Sequence, residues 1–142
     1  MTLSITLRRA ALLLLLFAAA AFAEQPVKVV YQFSEGLEQA SNGLRNIRNH
    51  LEADPSAKIV AVALSSGVDF LLDGAKDKNG AAYADAVADL QLAGVEFRAC
   101  NNTLKRRNID PKRLIADVRI VPAGVAEIAR LQAKEGFAYI KP

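Results

Sequence analysis

Residues 58–67 read KIVAVALSSG, and the six residues from Ile59 to Leu64 are apolar without a polar alternate. A strand with one face in water alternates apolar and polar positions. An unbroken run closed by Ser65-Ser66-Gly67 instead marks a strand covered on both faces, as in a parallel sheet. Parallel neighbours need crossover connections, most often helices, so the flanking sequence must supply them.

It does so on both sides. Upstream, Val27–Phe33 is rich in β-branched and aromatic residues and ends at Ser34-Glu35-Gly36, which predicts a first strand. Leu37, Ala40, Leu44, Ile47 and Leu51 then recur at steps of three and four, the stripe of a packed helix that Asp54-Pro55 stops. Downstream, Val68–Leu72 predicts a short helical turn and Lys76–Gly80 a polar turn. Ala81–Ala93 predicts a helix with Tyr83, Val87 and Leu90 on one side and Gly94 at its end. Val95–Ala99 is a third strand and Asn102–Arg107 a short helix, interrupted at Asp110-Pro111. Val118–Val121 is a fourth strand, Pro122–Lys134 a last helix and Gly136–Ile140 a terminal strand. This alternation predicts an α/β fold: a flavodoxin-like open, mainly parallel five-stranded sheet with helices on both faces.

The chain begins differently. Arg8 and Arg9 precede an apolar run from Ala11 to Ala21, and Ala21-Phe22-Ala23 places small residues where a signal peptidase reads. The run is shorter than the roughly 20 residues that span a bilayer. Residues 1–23 are therefore expected to be a signal peptide, by the general or the twin-arginine route. Residues 24–142 are expected to form a single domain, periplasmic or secreted and without a stable membrane anchor. Two of the positive charges behind the formal net charge of +3 leave with Arg8 and Arg9, so overall charge gives no reason to expect nucleic acid.

In open α/β sheets ligands bind beyond the carboxyl ends of the strands. The loops there carry Ser34-Glu35-Gly36, Ser65-Ser66-Gly67, Cys100-Asn101-Asn102-Thr103 and Pro122-Ala123-Gly124. Cys100, the only cysteine, is the one strong nucleophile among them. A thiol ionises more readily at a helix N-terminus and beside cations, and seven Lys or Arg lie between residues 98 and 119. Asn102 or Thr103 is expected to cap the short helix, with Arg98 and Lys105 strengthening the field. Ser34, Ser65 and Ser66 are candidate anion ligands through hydroxyl and turn N–H groups, although Ser-Gly is also ordinary turn chemistry. His50, near the end of the first helix, suits the helix dipole better than catalysis. There is no GxGxxG after the first strand and no P-loop. One Cys and one His give a transition metal too few soft ligands, and no cofactor is expected.

The segments GVEFRACNNTLKRRNI (94–109) and VRIVPAGVAEIARLQAKEGFAYIKP (118–142) resemble the DsrE/DsrF-like family, in particular its small exported members. The resemblance covers nearly all of residues 26–142. It implies a doubly wound α/β sheet, commonly assembled as a homo-oligomer, a trimer or hexamer. It also implies a sulfur relay in which a cysteine holds a persulfide and passes it to a partner protein; Cys100 best matches that cysteine. Two other readings stay open: a binding or assembly module in which Cys100 only packs, and an intermolecular disulfide through the unpaired thiol.

Overall fold

Five strands form one sheet: β1 (Lys28–Phe33), β2 (Lys58–Ala63), β3 (Glu96–Cys100), β4 (Arg119–Val121) and β5 (Ala138–Ile140). Their spatial order is β4-β3-β2-β1-β5 and every neighbouring pair is parallel, as the apolar run of β2 requires. The computed structural model describes residues 25–142; the signal-peptide expectation for 1–23 falls outside them. Among the described residues no helix is long and apolar enough to cross a membrane.

The helices are α1 (Leu37–Ala53), α2 (Tyr83–Leu92), α3 (Asn101–Arg106) and α4 (Gly124–Glu135), with 3-10 segments at Ser65–Leu71 and Pro111–Arg113. The chain steps β1 to β4 in one direction and then returns across the sheet to β5. Right-handed crossovers put connections running in opposite directions on opposite faces. On one face Leu44 and Ile47 of α1, Val68, Phe70 and Leu71 of the 3-10 segment, Val87 and Leu90 of α2 and Leu104 of α3 bury Val29, Phe33, Ala61 and Phe97. On the other, α4 alone lays Ile128 and Leu131 over Val30, Val60 and Val62, with Phe137 beside them. Helices cover both faces, as expected, but unequally.

That inequality positions the site. The connections leaving the adjacent strands β3 and β4 depart to opposite faces, α3 to the thick one and α4 to the thin one. A crevice opens at such a switch point, outside the carboxyl ends of the strands. The residue at the rim on β3 is Cys100, in register with Val121 of β4.

Candidate functional site

Cys100 ends β3 and is itself the N-cap of α3, with φ −74° and ψ 113°. The cap expected at Asn102 or Thr103 thus falls two or three residues earlier, because the helix begins directly at Asn101. Extended backbone at Cys100 leaves the first N–H groups of α3 without carbonyl partners inside the helix, at the end of the strand that carries the sulfur.

Burial alone pushes the Cys100 thiol up, but hydrogen bonds outweigh it and hold the thiol below its ordinary value. They come from the Thr103 hydroxyl and from the backbone N–H groups of Gly124, Thr103 and Asn102. Donation to the charged form favours that form. The donors come from two helices, since Gly124 is the first residue of α4.

The surrounding loops hold these donors in place. The Thr103 hydroxyl accepts the Ser65 N–H at 3.0 Å while it donates to the sulfur. Asn102 N–H is shared with the Pro122 carbonyl at 3.3 Å, which ties the start of α3 to the loop leading into α4. A Cβ built on Gly124 would lie 3.1 Å from Leu64 Cβ and 3.3 Å from Cys100 Cβ. Glycine therefore lets the helix end approach the thiol closely. Cys100 is 5% exposed: the sulfur is enclosed at the carboxyl end of β3.

The other candidates are dispersed. Ser65, in the left-handed region at φ 52°, joins the site through its backbone; Ser66 is exposed beside it and Asn101 half-buried. Ser34 lies at the end of β1, where its N–H and that of Glu35 both donate to Gln39 Oε1 at 2.8 Å. The electrostatic expectation needs correction. Arg98 is spent on Glu127 and Glu96, and Lys105 stands exposed in the last turn of α3, where its charge suits the helix C-terminus. Neutral N–H and O–H donors, not these cations, hold the sulfur.

Gln39 was not singled out from the sequence, and Gly124 and Arg107 figured there only as part of a strand-end loop and as one of seven cations. Arg107 pairs with Asp69 at 2.7 Å and donates to the Ser65 carbonyl at 3.0 Å, fastening α3 to the 3-10 segment. Gly124 carried a signal, a glycine in a strand-end loop, but nothing local says which strand it faces. His50 Nδ1 lies 2.9 Å from the hydroxyl of buried Tyr31. Among the described residues no group of three or more His, Cys, Asp or Glu is placed to hold a metal ion.

The DsrE/DsrF-like family profile matches residues 9–142. Among solved structures, a protein of unknown function, MTH1491 from Methanobacterium thermoautotrophicum, is 35% identical with a TM-score of 0.73, covering 82% of this chain and 99% of its own. The ychN protein from E. coli is 21% identical with a TM-score of 0.67, covering 84% of this chain and 100% of its own, a likeness of fold alone. No curated protein matches.

Proposed function

Since the chain belongs to the DsrE/DsrF-like family, we propose that it carries sulfane sulfur on Cys100, acting after export and as a homo-oligomer. The observation that carries this reading is the placement of Cys100 at the switch point of the sheet, as the N-cap of α3 and within close approach of Gly124 at the start of α4, where nearby donors hold the thiol below its ordinary value. A thiolate is the nucleophilic form, and donors arranged in advance keep it charged without an adjacent base.

The step is balanced without an outside oxidant. Cys100–S⁻ attacks the terminal sulfur of a donor persulfide R–S–SH. The Cys100 S–S bond forms as the donor S–S bond breaks, R–S⁻ departs, and the proton stays on the transferred sulfur. The reverse step on an acceptor thiolate delivers that sulfur.

The test is the mass of the folded protein after incubation with inorganic polysulfide, with the pH dependence of Cys100 alkylation measured in parallel. A gain of one sulfur that reductant reverses, absent in Cys100→Ala, together with alkylation at neutral pH, is the expected result. The burial of Cys100 favours one rival, a binding or assembly module in which the sulfur only packs. A thiol silent until denaturation, with no sulfur gained, would establish that rival and end the relay reading.

A further inference from the structure

Gly124 reaches Cys100 from the first residue of α4, and three residues on, the same helix meets β3 again. There Arg98 Nη1 donates to Glu127 Oε1. Arg98 stands two residues before Cys100 on the same face of β3. Three residues of helix advance about 4.5 Å and two of strand about 6.6 Å, so the two contacts sit side by side. They fix the first turn of α4 to one strand at two points.

The second point is dry. The Arg98 side chain is 6% exposed and that of Glu127 11%, whereas Glu96, the other partner of Arg98 at 2.6 Å, is 59% exposed. Arg98 Nε is buried without a partner, so the guanidinium depends on its two carboxylates, and Glu127 is the enclosed one. Arg130 also holds Glu127, at 2.9 and 3.0 Å, but from the same helix. It orients the carboxylate and does not join helix to sheet. The apolar seat of α4, Ile128 and Leu131, lies further along, leaving the first turn to the ion pair and to the close approach of Gly124.

We propose that Glu127 is a positioning residue for Cys100: by gripping Arg98 on β3 it keeps the Gly124 N–H on the sulfur. This rests on the reading of Cys100 as a reactive thiolate. The charged groups around the pair are Arg98 from β3, with Glu96 behind it, and Arg130 on α4, with Glu135 behind it. The groups that hydrogen-bond the sulfur itself are uncharged.

Thiolate ultraviolet absorbance against pH, taken as the difference from Cys100→Ala in the folded chain, reads the thiol without requiring access to it. Glu127→Ala is expected to move the titration upward, so that the thiolate fraction at neutral pH falls roughly tenfold, the size of one lost hydrogen bond to a charged group. Glu127→Gln keeps an acceptor for Arg98 and should move it less; Arg130→Ala should overlay the parent. A Glu127→Ala curve that overlays the parent while thermal stability falls would overturn the proposal, as would an equal displacement by Arg130→Ala. If Glu127→Ala does not fold, Glu127→Gln decides: an upward displacement supports the positioning role and an overlay removes it. A parent that titrates like a free thiol removes the thiolate reading together with this one, whereas a low parent with an unmoved variant removes this one alone.

Discussion

The two faces of the sheet share their strands but hold their covering helices by different forces. Under α1 and α2 the core is aromatic and closed: Phe70 lies 4.9 Å from Phe33, 6.0 Å from Tyr83 and 6.2 Å from Phe97, centroid to centroid. Under α4 the apolar seat is six buried residues, and the first turn is held by a buried ion pair. Apolar burial is non-directional and tolerant, so the thick face suits stability. Ion pairs and N–H donors are directional, so the thin face suits placing a donor on a sulfur. The candidate site lies where the end of the thin-face helix meets the end of a central strand.

The contrast breaks if the thick face does not dominate stability. Phe70→Ala should cost about 3–5 kcal/mol, read from denaturant unfolding, and should leave the Cys100 titration of the remaining folded protein in place. Glu127→Ala should cost less, about 2–3 kcal/mol, because Glu96 still partners the stranded Arg98. Its cost should also depend on pH. Arg130 first, then Arg98, hold the Glu127 carboxyl below the usual range against the opposing effect of burial. The contribution is therefore full above the unfolded value of about 4.3 and lost as pH falls through the folded one. Parent and variant should converge in acid.

Smaller effects sharpen the picture at the sulfur. Gly124→Ala crowds Leu64 and Cys100 and should cost about 1–2 kcal/mol by overpacking, while raising the thiol titration as the helix end retreats. Thr103→Val removes a donor to the sulfur and strands the Ser65 N–H, for about 1 kcal/mol, again with the thiol titration raised. The smallest effect is that of Cys100 ionisation on folding. The thiol is depressed in the folded state, so stability relative to Cys100→Ala should rise as pH climbs from the folded value to the free one of about 8.5, and level off above it. A flat difference across that range would mean that the donors do not favour the charged sulfur.

Much of the architecture was legible from local pattern. The unbroken Ile59–Leu64 run announced a two-sided strand, the three-and-four spacing of Leu37–Leu51 announced α1, and Asp54-Pro55 and Gly94 marked ends that lie within a residue or two of those observed. Cys100 was legible as a strand-end thiol for the same reason. Its environment was read less well. Charge density along residues 98–119 suggested a cationic field, yet the structure spends Arg98 on Glu127, 29 residues away, and points Lys105 into solvent.

By itself the sequence determined the alternation of strands and helices and the place of the one thiol at a strand end, because periodicity and turn chemistry act over a few residues. Only the tertiary structure decided that β3 and β4 are neighbours with connections leaving on opposite faces, that Gly124 and Thr103 meet at one sulfur, and that Arg98 faces α4. Those choices follow from strand order and crossover handedness, which minimise exposed apolar surface over the whole chain and leave no mark in the spacing of any single segment.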